Sequence, residues 1–303
     1  MKKPAKIILI IAAVLVSAGI LFSAVGFFCG ANLTIYQGEN GFLTSNMKTE
    51  ETVERNLAAF QGINVNVGRG DVIILPSDTF GIEMTYCGYG SKLQYSIENG
   101  VLKIEGGNLR RWGWFNFDFS FVNPKQNIVK IYVPEKTVLT NVTVKTALGR
   151  LDISHIMANQ LVCTNDLGEV KLADVSAQIS ELDLDLGSLT MERVNLGNAN
   201  ITNDLGEIKG TNITASSLKC DASMGEINLQ GTFTGLTDID ADMGNVNFET
   251  TGSLADYSFD LDVDMGHASV NGSRMGNEYK TVGTTVNKIK IDCSMGDVDI
   301  KVQ

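Results

Sequence analysis

Proline is scarce in this chain, four in 303 residues, and histidine scarcer still, at His155 and His267. So little proline beside 31 glycines excludes a proline-rich disordered chain and points to many regular turns. Neither histidine stands in an HExxH motif, and no CxxC, GxSxG or P-loop occurs. The usual sequence marks of zinc hydrolases, redox dithiols, serine hydrolases and nucleotide enzymes are therefore missing. No acidic residue precedes Glu39, and no cation falls between Lys6 and Lys48.

Excess negative charge is confined to one half. Residues 31–148 carry 11 basic and 11 acidic groups, whereas residues 149–303 carry 10 and 24. Such a surface repels nucleic acid at long range, so a nucleic-acid partner is not expected.

Ile7 to Phe28 are uncharged. At about 1.5 Å rise per residue that stretch is roughly 33 Å long, enough for a bilayer core. It reads as a retained transmembrane signal anchor; removal after Ala31 as a signal peptide is the alternative. Lys2, Lys3 and Lys6 precede the span, which leaves residues 1–6 as a cytoplasmic tail and sends the rest outside the cell. The expected localisation is a single-pass cell-membrane protein, with the lipid bilayer as partner through residues 7–28. Residues 29–58 read as a polar stalk with a short helix over 48–58.

An internal repeat carries most of the information. Phrases such as ALGRLDI, DLGEVKL, SMGEINL and SMGDVDI place glycines at 149, 168, 187, 206, 225, 244, 266 and 296. The first five intervals are all 19 residues, followed by 22 and 30. One position before each glycine stand Leu148, Leu167, Leu186, Leu205, Met224, Met243, Met265 and Met295. Five before it the column is again apolar, from Val144 to Ile291, and so is the column two after it, from Leu151 to Val298. Alternation of this kind marks strands with one buried face. The methionines continue the leucine column, so both read as core.

Each 19-residue unit is then a strand, a glycine corner and a second strand, one rung of a parallel stack about 4.8 Å per step. The fold class expected is all-β: a single-stranded parallel β-helix, or solenoid, over residues 149–303. Residues 59–148 should form an irregular N-terminal β cap and first rungs. There Ile63, Val65 and Val67 precede Gly70, strands are expected at 80–87, 92–98, 101–105 and 128–133, and Asn99-Gly100 reads as a hairpin turn.

The GINVNVGRGDVIILPSD opening, the ENGVLKIEG hairpin, the NIVKIYVPEKTVLTNVTVKTALGRLDI segment and the glycine rungs together resemble the bacterial adhesin-like, or Toastrack, β-strand-repeat family. The likeness spans about residues 58–303. It implies a surface β-solenoid on a membrane anchor with envelope-stress-sensing, structural or adhesive roles, and it supplies no catalytic residues.

Other features are weighed on their chemistry. Arg69-Gly70-Asp71 spells an integrin-binding tripeptide, but Gly70 is already accounted for as a rung glycine. Cys163 and Cys220 share a column three rungs apart, too far for a disulfide, so the thiols outside the span are expected free and buried. Trp112, Trp114, Phe115 and Phe117 lie in the run RWGWFNFDFSF, expected either as a lid over one end of the stack or as a docking surface for a partner. Stacked outward aspartates repel. The aspartate columns read as a solvated, solubilising face or as a site for weak divalent-cation or cationic-partner binding, with Asp240, Asp242, Asp262 and Asp264, taken as two adjacent rungs, as the candidate calcium centre; otherwise no cofactor is expected. The function expected is non-catalytic binding, adhesion or scaffolding at the cell envelope with an unknown envelope protein or surface ligand. A sensor arm working through membrane partners is the alternative, and a glycan lyase a more remote one.

Overall fold

The computed structural model describes residues 49–87, 91–107, 126–281 and 285–303, with Gly19 and two short strands, Ile35–Gly38 and Gly41–Thr44. Apart from Gly19, the expected span at 7–28 lies outside these residues, as does the aromatic run with Trp112, Trp114, Phe115 and Phe117. Among the described residues no helix is long and apolar enough to cross a membrane.

The chain is all-β and its large sheet is mainly parallel. The 19-residue sequence period becomes a register of 19: Leu161 pairs with Ser180, Cys163 with Leu182 and Val170 with Leu189. At each corner the rungs touch through backbone. A Cβ on Gly225 would lie 1.8 Å from the carbonyl oxygen of Gly206, and one on Gly206 1.7 Å from that of Gly187. Glycine is therefore required there by close approach, and at Gly206 and Gly225, with φ of 145° and 146°, by backbone angle as well. Six residues beyond it the chain turns again at His155, Asp174, Arg193 and Asn212, all with φ of 53° to 55°. Arg193 clamps Asp174 through two hydrogen bonds of 2.7 and 2.8 Å on this second corner.

Rungs do not stack in chain order at the ends. In the last one, Asn287–Met295 lies between Leu236–Met243 and Tyr257–Met265, and Val298–Val302 between Val246–Thr250 and Ala268–Val270, all in parallel. The corner glycines accordingly run 225, 244, 296, 266 through space. The opposite end is built the same way: Gly62–Arg69 lies between Val101–Gly106 and Val138–Leu148, and Asp71–Ser77 between Ile128–Pro134 and Leu151–Ser154. The outermost rung at each end is thus free to take antiparallel cover. Gln94–Glu98 and Gly81–Tyr86 cover the first, Ser273–Arg274 and Glu278–Lys280 the last. This covers edges that would otherwise template pairing with another chain.

Four expectations about the N-terminal region hold: the strands Gly81–Tyr86, Gln94–Glu98, Val101–Gly106 and Ile128–Pro134 are present. Asn99 and Gly100 make their turn with φ of 52° and 76°. The short helix over 48–58 is not found. Glu50–Arg55 is instead a strand, antiparallel to Gly81–Tyr86.

The core follows the inward columns, with one correction. The column next to each glycine is not buried: Leu167, Leu186, Leu205, Met224, Met243, Met265 and Met295 are 42% to 61% exposed. The chain begins to turn one residue before the glycine, so alternation fails there and the side chain projects along the outer corner. Inward pointing ends three residues before the glycine, where Thr146, Asn165 and Asn203 are buried. The Asn165 amide donates to the Gly149 carbonyl at 2.9 Å, and the Thr146 hydroxyl to that of Gly70 at 3.3 Å. A buried polar residue thus satisfies the corner of the preceding rung.

Cys87, Cys163, Cys220 and Cys293 are free and buried, as expected. Cys163 stacks on Leu182 and Cys220 on Ile201. Burial pushes both of these thiols up to about 12, which keeps them protonated and unreactive.

Candidate interaction surfaces

Three outward features are built by stacking one residue type per rung. The first is the apolar corner ridge, which runs Leu148, Leu167, Leu186, Leu205, Met224, Met243, Met295, Met265 in spatial order. Seven steps of about 4.8 Å make it roughly 34 Å long. Asp166, Asp185, Asp204, Asp242 and Asp264 border it on the strand side, and Glu169, Glu207, Glu226 and Asp297 beyond the glycine; all are exposed.

The second feature is an aspartate ladder on the face that leads into the corner. Asp221 pairs with Asp240, Asp240 with Asp292, Asp292 with Asp262, and Asp262 with Glu278. In the next outward row, two residues earlier on the parallel strands and two later on the antiparallel one, the signs alternate: Lys219, Asp238, Lys290, Asp260, Lys280. Lys290 reaches Asp238 at 2.9 Å, and Lys288 and Lys280 reach Asp260 at 2.8 and 3.1 Å. The alternation exists only because the last rung is inserted; in chain order Asp238 is followed by Asp260. The third feature is an amide ladder past the corner, where Asn247 donates to Asn228 at 2.8 Å and to Glu226 at 3.0 Å. It floors a shallow groove of about 190 Å³ that includes Lys209 and Lys301.

The residues singled out from sequence fall as follows. Asp240 and Asp262 are not on adjacent rungs, because Asp292 lies between them. Asp242 and Asp264 are likewise separated, by the rung that carries Ser294. Among the described residues no three acidic, histidine or cysteine side chains are grouped to hold a metal ion. Trp112, Trp114, Phe115 and Phe117 are not described, but the places where their segment leaves and rejoins the stack are. A Cβ on Gly107 would sit 2.8 Å from the Arg69 carbonyl oxygen, and one on Gly70 2.6 Å from that of Asn127. Gly107 and Asn127 themselves therefore pack at the glycine corner, at the leucine end of the ridge. Asp71 of the Arg69-Gly70-Asp71 tripeptide accepts a hydrogen bond from the Arg150 amide at 2.9 Å, a structural role. His267 is exposed beside Arg274.

The model of the family described as Toastrack DUF4097 matches residues 60–301. The chain belongs to this family. Among solved structures this Toastrack chain is similar to a candidate cell adhesion protein from Clostridium sporogenes, at 16% identity over 84% of this chain and 99% of that one, with a TM-score of 0.34. Candidate adhesins from Bacteroides fragilis and Parabacteroides distasonis are similar at 14% and 15% identity. They cover 85% and 84% of this chain and 98% of their own, with TM-scores of 0.41 and 0.42. A comparison with curated proteins returns no match.

Electrostatics in the Toastrack stack follow from the ladders. The Asp240 carboxyl is held above the usual carboxylate range by partial desolvation, then by the charges of Asp292, Asp221 and Asp242, with Lys290 opposing. Asp183 is raised in the same way, by desolvation and then by Asp185, Asp204, Glu181 and Asp166. A raised carboxyl means that the folded chain holds the proton more tightly than the unfolded chain. Ionisation of Asp240 therefore costs stability at neutral pH, and the cost fades as pH falls from the raised value through the ordinary one. Asp240→Asn should stabilise the fold at pH 7 by roughly 0.2–1 kcal/mol, the worth of one cross-strand like-charge contact. The gain should vanish below pH ~4. Urea unfolding of both proteins at the two pH values measures this; equal gains at both would remove repulsion as the cause.

Proposed function

We propose that this chain is a non-catalytic binding module of the cell envelope, held at the outer face of the membrane by residues 7–28 and making its contacts along the glycine corner. The half-exposed leucine and methionine ridge carries this reading. A contiguous apolar row on the order of several hundred Å² is the size at which exposed patches on soluble domains mark contact sites. Its repetition on eight successive rungs, from Leu148 to Met265, also gives a partner many equivalent footholds. Trp112 and Trp114, which lie outside the described residues, are counted with the ridge as proposed partner-binding residues on their aromatic character alone. The outward placement rests on the uncharged stretch from Ile7 to Phe28 and the three lysines before it.

The test is photo-crosslinking in cells that make the full chain, with the reactive residue placed at Leu186 or Met243 on the ridge, or at Lys209 on the amide-ladder face. Discrete adducts from the two ridge positions, absent from Lys209, are expected. Adducts from Lys209 alone, or from none of the three, would overturn the assignment of the contact surface.

A further inference from the structure

Resting on the binding-module reading, we infer that the ridge takes a cationic amphipathic segment of a partner protein, most strongly over its methionine half. Of the seven rungs from Leu167 to Met265, each places at least one carboxylate next to the ridge residue or across the glycine from it: Asp166 and Glu169, Asp185, Asp204 and Glu207, Glu226, Asp242, Asp297, and Asp264 in turn. None of these seven rungs has a lysine or arginine at either flanking position. Arg274, beside His267, is a cation at the extreme end. The surface is thus an apolar line with acidic borders. Its complement is an apolar stripe with basic borders. A second copy of this chain would bring like borders together, and an anionic lipid surface would be repelled by the same carboxylates.

The dimensions suit a helix. Three or four residues of α-helix advance about 4.5–6 Å, which brackets the rung spacing of about 4.8 Å. A helix laid along the corner therefore presents one apolar side chain per rung. At a mean helical pitch of about 5.4 Å the mismatch is roughly 0.6 Å per rung, so register holds for about four rungs before it slips by half a step. Four is the number of methionine rungs: Met224, Met243, Met295 and Met265. Methionine suits this role because its unbranched side chain adapts to varied surfaces. The aspartate ladder Asp221, Asp240, Asp292, Asp262 lies beside the same four rungs and adds negative potential there.

The experiment uses the full chain in nanodiscs of zwitterionic phosphatidylcholine, with empty nanodiscs subtracted. The probe is a synthetic 18-residue leucine–lysine peptide patterned as an amphipathic helix, and the control is its leucine–glutamate counterpart. Titration calorimetry should show saturable binding of the lysine peptide and none of the glutamate peptide. Replacing Glu226, Asp242 and Asp297 together by Lys should weaken binding ~10-fold or more at low salt, with the difference shrinking at ~0.5 M salt. Replacing Met224 and Met243 by Ser should weaken it at every salt concentration. Equal binding of the two peptides, or unchanged binding by both variants, would overturn the inference. So would a concentration-dependent dimer in sedimentation that the Ser variant abolishes. If the lysine peptide fails while crosslinks in cells still form from Leu186 and Met243, the cationic class is wrong and the binding module stands. If both fail, the module reading falls with it.

Discussion

Gly225→Ala is expected to abolish cooperative folding of the stack, or to cost more than ~4 kcal/mol where folded protein can still be recovered. Two effects combine. The backbone at Gly225 has φ of +146°, a region that a side chain strains, and the added Cβ would fall 1.8 Å from the Gly206 carbonyl oxygen. That oxygen is backbone, held by the neighbouring rung, so no rotamer change relieves the clash. Relief requires rungs to move apart at a corner where the Gly225 amide donates to the Met243 carbonyl at 2.9 Å. Gly272→Ala is the control for a positive φ without close approach, at a milder +75° and with nothing within 4 Å of the added carbon. It should cost only the backbone strain, on the order of 1 kcal/mol. Urea unfolding of both variants measures the difference; similar losses in the two would show that close approach to the neighbouring rung is not what makes glycine necessary at Gly225.

That column of glycines was the most legible part of the chain. Its even 19-residue spacing reports a period that the backbone has to close, and the Asn99-Gly100 turn was legible for the same kind of local reason. The exposure of the ridge was not. Leucine and methionine read as core by hydrophobicity alone, and the step where alternation breaks at the corner hides behind the same apolar residue types. Asn165 and Asn203, buried at a position where Leu184 and Val263 also occur, hinted that inward pointing stops three residues before the glycine. The end arrangement was hidden for a different reason. Intervals of 22 and 30 residues say that extra chain is present, not which rung the returning strand joins. Lys219, Asp238, Asp260 and Lys290 did hold a usable signal: cross-strand pairing favours alternating signs. Placing Lys290 between the two aspartates is the order that achieves it. The calcium expectation at Asp240, Asp242, Asp262 and Asp264 inherited the chain-order assumption, which is why its two rungs prove to be separated. The packing of Gly107 against Arg69 and of Asn127 against Gly70 had no sequence signal either, because it joins residues far apart in the chain.

Removal of residues 287–303 is expected to unfold much more than the seventeen residues deleted. In chain order this would be the last rung, and its loss would leave Tyr257–Met265 paired and protected. In the structure it is an inner rung: Ile291 lies between Ile239 and Leu261, and Val298 between Val246 and Ala268. Deletion strips Tyr257–Met265 and Ala268–Val270 of their parallel partners and leaves them only Ser273–Arg274 and Glu278–Lys280. A short antiparallel set of that kind is marginal by itself in water. It also exposes the inner faces of Ile239 and Val246 at the new end. Hydrogen exchange read by mass spectrometry should therefore show residues 257–280 exchanging freely in the truncated protein while residues 138–215 keep their protection. A point substitution gives the same contrast without shortening the chain. Ile291→Asp places a charge at a fully buried position between two aliphatic neighbours, a change worth ~4 kcal/mol or more that should loosen Leu236–Met243 and Tyr257–Met265 together. If 257–265 stayed protected in both variants, the inserted order of the last rung would be wrong, and with it the spatial order of the methionine ridge.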